Sequence, residues 1–335
     1  MSNNGTSGQV FGDNAGLRGY WFAVAEASEI VDGPYKRTLL SQDCVLWRSP
    51  SGQLVAAPDR CPHREAPLSA GSVTDGCLTC CYHGWSFGDE GRCVRIPSAE
   101  ESLPVPPAAH LPVVNVVERY GLVWLCLDEP VADIPTMGWE DRDDYRRINN
   151  PVEVWETSAT RMTDNFLDFS HFPWVHIGTF GGAQDPLIPK LDLEELDDQF
   201  FGYQYEVDAS NPDTATSTTG VTDDVVHRQM STGFALPMTI RSTILYETGL
   251  EHILMLLATP IDDETSYFTF VVWRNDDFSV PAEEVAAFDR AIGAEDKAML
   301  EKLDGVLPMD RTGVVSVQAD KASVEWRRQF AELLT

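Results

Sequence analysis

Arg60-Cys61-Pro62-His63-Arg64-Glu65-Ala66-Pro67-Leu68-Ser69-Ala70-Gly71, followed by Cys80-Cys81-Tyr82-His83-Gly84-Trp85, is the stretch from which the rest of this chain is read. Each segment offers one thiolate and one imidazole. A mixed set of this kind suits either a tetrahedral zinc or a [2Fe–2S] cluster with two histidines on one iron. Zinc fingers pair cysteine with cysteine and histidine with histidine at short spacing, whereas here every loop carries one of each. That division favours the cluster, with Cys61 and Cys80 on one iron and His63 and His83 on the other. A structural zinc is the alternative.

Composition narrows what surrounds this stretch. The chain has 335 residues, 43% of them hydrophobic, room for two domains with ample core. No long apolar run is present and Met1 to Gly16 is polar, so we expect a cytoplasmic protein with residues 1–16 disordered and no membrane association. All seven cysteines fall within the first 126 residues, an odd number that argues against a disulfide framework. A net charge of −29 repels phosphate backbones, so nucleic acid is not an expected partner.

Around the cysteine–histidine loops, short apolar runs such as Tyr20–Val24 and Cys44–Trp47 alternate with turn residues, the pattern of a small antiparallel β-domain. Gly121 to Leu127 closes it as a buried strand, which places this domain at 17–128 and a second at 129–335. Arg60, Arg64, Arg92 and Arg95 flank the loops and form either a docking patch for an acidic electron donor or ordinary surface charge.

The second half has no cysteine, and its chemistry gathers in Asn165-Phe166-Leu167-Asp168-Phe169-Ser170-His171-Phe172-Pro173-Trp174-Val175-His176. A helix starting near Thr163 would set Asn165, Asp168 and His171 on one face, with Pro173 ending or kinking it before His176. Polar groups in a Phe-rich segment need compensation, by a metal or by ordinary core hydrogen bonds. Between Pro281 and Leu303, Val285, Phe288, Ile292, Met299, Leu300 and Leu303 recur at helical spacing, and Asp296 falls on their stripe. Asp289, Glu295 and Asp304 point elsewhere in that register and read as solvated charges, and His227 and His252 as structural or surface histidines. Thr239–Tyr246, His252–Thr259 and Tyr267–Trp273 read as an antiparallel meander forming a cavity floor. Ile177–Gly182 reads as a flexible entrance loop or a passive connection. The aromatic residues Phe166, Phe169, Phe172, Trp174, Phe268, Phe270 and Trp273 suit an apolar substrate, and any of Arg161, Arg228, Arg241 and Arg274 could meet a substrate carboxylate.

These motifs, from Leu17 to about Arg328, resemble the oxygenase component of the Rieske non-heme iron oxygenases, in the homo-oligomeric branch with the vanillate O-demethylase and phthalate dioxygenase types. One departure is Cys81, where the family usually has proline. The resemblance implies an α+β protein: an N-terminal all-β Rieske [2Fe–2S] domain and a catalytic domain whose antiparallel sheet is flanked by helices, of helix-grip type. It implies Fe(II) held by His171, His176 and Asp296, the last within Glu295-Asp296-Lys297, and Asn165 among the catalytic residues. Asp168 would bridge the cluster of one subunit and the iron of its neighbour in a homotrimer. Electrons would come from NAD(P)H through a separate reductase or ferredoxin, since the chain has no nucleotide fingerprint of its own. The implied reaction uses O2 to hydroxylate, or to O- or N-demethylate, a small aromatic substrate. Ring dihydroxylation and, in a different class, pure Rieske electron transfer are the alternatives.

Overall fold

Turn residues cut the first third of the chain into short strands, and the computed structural model, which describes residues 10–31, 33–310 and 313–334, pairs most of them with a neighbour in sequence and the first, Phe22–Glu26, with the last, Leu122–Cys126. Two compact units result, Met1–Asp133 and Ile134–Thr335. The first begins with a helical turn α1 (Val10–Asp13), followed by β1 (Phe22–Glu26), β2 (Tyr35–Leu39), β3 (Gln42–Arg48), β4 (Leu54–Pro58), β5 (Ser72–Thr74), β6 (Cys77–Thr79), β7 (Ser86–Phe87), β8 (Cys93–Arg95), β9 (Asn115–Arg119) and β10 (Leu122–Cys126). Their antiparallel sheets run β1-β10-β9, β2-β3-β4 and β5-β6-β7-β8. Of the expected disordered N-terminus, residues 1–9 lie outside the described residues. Val10–Asp13 departs from that expectation because Phe11 is an anchor, 1% exposed, in an otherwise polar segment. β10 is buried at every position, as its unbroken apolar run requires.

The second unit follows the order β11 (Arg146–Asn149), β12 (Glu153–Trp155), α2 (Ala159–Leu167), α3 (Phe172–Val175), β13 (Glu194–Glu195), β14 (Phe201–Ser210), α4 (Thr216–Thr219), β15 (Val225–Ala235), β16 (Thr239–Tyr246), β17 (Glu251–Pro260), β18 (Ser266–Arg274), α5 (Ala282–Leu300) and α6 (Lys321–Leu333). An eight-stranded antiparallel sheet, β11-β18-β17-β16-β15-β14-β13 with β12 also on β18, carries α2 against β15, β16 and β17. The β16–β18 meander stands where alternating apolar runs placed it. Among the described residues no helix is long and apolar enough to cross a membrane.

α5 covers the expected helix and buries Val285, Phe288, Asp296 and Leu300. Met299, expected on the buried stripe, is instead 40% exposed, because three residues past Asp296 the stripe has turned out of the contact. α6 is pinned at its centre: Trp326 is fully buried and its Nε1 donates to the Pro237 carbonyl at 2.8 Å.

Candidate metal centres and active-site pocket

The two cysteine–histidine loops share one backbone frame. Glu65 N–H donates to the Cys61 carbonyl at 2.8 Å and Gly84 N–H to the Cys80 carbonyl at 3.0 Å. One residue further on, the Ala66 carbonyl accepts from Cys61 N–H and the Trp85 carbonyl from Cys80 N–H, each at 2.9 Å. The fourth residue after each cysteine is left-handed, Glu65 at φ 62° and Gly84 at φ 70°. Both cysteines are 2% exposed, while His63 is half-buried and His83 exposed. Their imidazoles meet edge-on with centroids 4.4 Å apart, and Trp85 stacks on His63 at 4.6 Å.

This donor set fits a cluster with sulfur ligands inside and nitrogen ligands outside. His63 Nδ1 is buried without a hydrogen-bond partner, a lone pair the protein alone leaves unused. Burial pushes the Cys61 thiol up to about 11, with the Cys80 thiol adding to that and the His63 and Arg64 backbone N–H groups opposing it. Cys81, beside Cys80, is exposed, so it faces away from the pair of buried thiols.

In the second unit the helix carrying Asn165 is shorter than its sequence predicts. α2 ends at Leu167, and Asp168 caps it in extended conformation, φ −95° and ψ 146°. The Asp168 carboxylate explains the stop: it accepts from Ser170 N–H at 2.9 Å, Ser170 Oγ at 2.6 Å and His171 N–H at 3.1 Å, an Asx turn that competes with another helical turn. Pro173 does not end a helix but stands in the first turn of a new one, α3, where a missing N–H costs nothing. His171 and His176 are the N-cap and C-cap of that single turn. One face of one long helix is thus replaced by a stop and a restart.

The caps converge. His171 Nε2 and His176 Nε2 lie 3.2 Å apart, and Asp296 Oδ1 is 3.4 Å from each. Metal–imidazole and metal–carboxylate bonds of about 2.0–2.2 Å set neighbouring donors about 3 Å apart, so the triangle fits one ion with positions left open. Among the described residues this is the one group of its kind with donor atoms within 4.8 Å. Burial alone would lower His171, yet Asp168 and Asp296 raise it to about 9. Burial likewise opposes charge on Asp296, and hydrogen bonds from His171 and His176 hold it well below the carboxylate range. Asn165 Nδ2 donates to the same Asp296 Oδ1 at 3.0 Å.

Each histidine also has a carboxylate behind it. Asp168 Oδ2 is 3.0 Å from His171 Nδ1, and Glu295 Oε2 is 3.0 Å from His176 Nδ1. Glu295 therefore is not a solvated charge: it also accepts from Gly178 N–H at 3.1 Å and Thr179 Oγ1 at 2.7 Å. Those bonds tie down the stretch read as a flexible entrance loop or a passive connection, where Gly181 N–H also donates to the His176 carbonyl at 2.8 Å. The rule that a ligating imidazole gives its other nitrogen to a carboxylate was the available signal for Glu295.

A cavity of about 120 Å³ opens beside the triangle. Phe166, Phe172, Phe180 and Phe288 line it together with Met230, Ile244 and Leu254 from the sheet. Trp174 does not, being 68% exposed, and Phe268, Phe270 and Trp273 are core residues outside the lining. Of the candidate arginines, Arg228 alone lines the cavity. Arg161 binds the Asp304 and Gly305 carbonyls, Arg241 pairs with Asp197, and Arg274 with Asp276. His252 and Asp289 also belong to the lining, at 2% and 5% exposed: of the two readings of His252, structural or surface, the structure takes the buried one, and Asp289 is not the solvated acid expected. His227 sits on the outer side of β15, 2.9 Å from Asp208.

Both units have known relatives. Residues 20–116 match the Rieske [2Fe-2S] domain and residues 155–335 the vanillate O-demethylase oxygenase C-terminal domain. The methylxanthine N1-demethylase NdmA of Pseudomonas putida is 30% identical, over 95% of this chain and 89% of its own length. The vanillate O-demethylase oxygenase subunit of Pseudomonas sp. (strain HR199 / DSM 7063) is 28% identical over 94% of both chains. The solved structure of P. putida NdmA with caffeine superposes with a TM-score of 0.78 at 27% identity, covering 95% of this chain and 91% of the other. Such oxygenase components draw electrons from a separate reductase or ferredoxin and act on small molecules. The chain belongs to the Rieske non-heme iron oxygenases, enzymes that use a Rieske [2Fe–2S] cluster, a mononuclear iron and O2, and it is an oxygenase component of that family.

Proposed function

We propose that Cys61, Cys80, His63 and His83 hold the cluster, that His171, His176 and Asp296 hold the iron, and that the chain oxidatively removes an N- or O-methyl group from, or hydroxylates, a small aromatic substrate. The observation that carries this is the convergence of the two Nε2 atoms and Asp296 Oδ1 at 3.2–3.4 Å on the edge of an aromatic-lined cavity. The names of the relatives, an N-demethylase and an O-demethylase subunit, support demethylation. The iron supplies O2 activation when it is bound and reduced.

The protein's part is positional. Asp168 and Glu295 accept from Nδ1–H of His171 and His176, which fixes the tautomer that turns both Nε2 lone pairs inward. Asn165 holds the Asp296 oxygen, and the phenylalanines keep water from the reacting end of the cavity. Asp168 would bridge toward the cluster of a neighbouring subunit in a homotrimer, a role that its contact with His171 and its remaining one-fifth exposure support. Trp174 and Ile177, 68% and 64% exposed beside His176, support burial of this face by association. The reducing equivalents would originate in NAD(P)H, through the separate reductase.

The test has two parts. Protein purified without oxygen should hold one [2Fe–2S] cluster and one further iron per chain, by metal and acid-labile sulfide analysis with an EPR spectrum of the reduced sample. Given a surrogate reductase, methoxy- and N-methyl-arenes should then release formaldehyde in step with O2 uptake. O2 uptake without any organic product from such probes would overturn the demethylase reading, and a cluster-only protein would overturn the iron site.

A further inference from the structure

The cavity has two chemically different ends, one of which the reaction does not account for. Along α5, Asp289 precedes Asp296 by two helical turns, about 10 Å on the same face. At the Asp296 end stand the converging histidines. At the Asp289 end stand Arg228, Tyr246 and His252, brought together by the pairing of β15, β16 and β17: Arg228 lies opposite Tyr246, and His252 opposite Ile244. Side chains alternate along β15, so Arg228, Met230 and Thr232 face the cavity in turn, a cation followed by an apolar middle.

Arg228 is 3% exposed, and its Nε has no hydrogen-bond partner. Among the described residues no carboxylate forms an ion pair with its guanidinium, whereas Arg241 and Arg274 each have an aspartate. What holds it is aromatic: the Phe180 and Tyr246 rings lie 5.2 and 5.4 Å from its central carbon. Such rings orient the guanidinium without neutralising it. Arginine cannot escape by losing its proton, so the charge requires an anion from elsewhere. Asp289 forms no ion pair with Arg228: its Oδ2 lies 3.3 Å from His252 Nε2, with no hydrogen bond between them.

Taking the cavity as the substrate site, a reading on which this inference rests, we infer that Arg228 is its specificity residue and that the substrate is a single-ring aromatic carrying an anionic group, carboxylate-like, at the end away from the iron. The cavity, about 120 Å³, is somewhat smaller than the void of about 150 Å³ that holds benzene, so it has room for no more than one ring. Arg228 meets the anion with its planar fork of donors, and His252 closes the same end with two buried ring nitrogens, neither of which has a hydrogen-bond partner in the protein.

The test compares benzoate with benzamide, alike in shape and different in charge, by anaerobic calorimetry on the holoenzyme. Wild-type protein should bind benzoate about tenfold or more tighter than benzamide, the span of a hydrogen bond to a charged group. Arg228→Met should erase the preference while binding benzamide within about threefold of wild type, and Arg228→Lys should keep part of it. Since the substitution removes an uncompensated charge, Arg228→Met should melt no lower than wild type, and benzoate should raise the melting point of wild type alone. Equal binding of the two probes by wild type overturns the inference, as does a benzoate preference that survives Arg228→Met. The wild-type comparison decides the matter even if the variant does not fold. Turnover separates this from the demethylase reading: benzoate preference without formaldehyde from 4-methoxybenzoate sustains the anion site and sinks demethylation, and formaldehyde from neutral methoxyarenes with no benzoate preference does the reverse.

Discussion

Glu295 Oε2 lies 3.0 Å from His176 Nδ1, a contact that spans 119 residues of chain. The next residue, Asp296, faces the other nitrogen of the same ring, so two consecutive carboxylates hold one imidazole between them. Glu295→Ala removes the rear support and frees Gly178 and Thr179 as well. Its iron affinity should fall about 10- to 100-fold, read by competition with a chelator, while the visible spectrum of the cluster stays unchanged. Wild-type iron retention would show that Glu295 does not position the ring.

Asp168 holds His171 by the same logic, but its carboxylate is also shared with Ser170, whose bonds to Oδ1 an asparagine preserves. Asp168→Asn should therefore keep the fold and the cluster and, in protein reconstituted with iron, nearly abolish turnover driven by the reductase. Turnover near the wild-type rate would defeat its assignment as the bridge.

Arg92 and Arg95 are exposed beside the cluster loops, in a chain of net charge −29. If an acidic donor docks there, reversing both to glutamate slows reduction of the cluster and flattens its dependence on salt. Stopped-flow reduction at two ionic strengths measures this, and an unchanged rate removes the docking patch.

His252 predicts a pH signature. Burial pushes its imidazolium below the ordinary value, Asp289 opposes that, and Arg274 and Arg228 add to it. The unfolded chain then takes up a proton that the fold resists. Stability is complete above about pH 6.5 and declines as the pH falls through that value toward the lower folded one, by up to about 1.4 kcal/mol per pH unit. His252→Asn should lose less melting temperature than wild type between pH 7.5 and 5.5. Equal losses would place the titration elsewhere.

Residues close in sequence were legible where their spacing carried chemistry. Cys61 with His63 and Cys80 with His83 each lie within one tight turn, so the pattern of side chains is already the pattern in space. The runs at β16, β17 and β18 read correctly because strand alternation is local. The helix through Asp168 did not, because an Asx turn and a proline at a helix start use the same residues that a longer helix would contain.

Read by itself, the sequence pointed to metal-binding chemistry of two kinds and to a two-part α+β organisation, and its resemblance to a known family joined His171, His176 and Asp296 as one candidate set. Only the tertiary structure decided which polar residues stand behind and beyond that set: Glu295 at His176, and Arg228 with His252 and Asp289 at the far end of the cavity. The reason is physical. A charged residue reads as solvated unless something covers it, and what covers these is set by the pairing of β15 with β16 and β17 and by the turn of α5 over them, contacts between segments that no local spacing encodes.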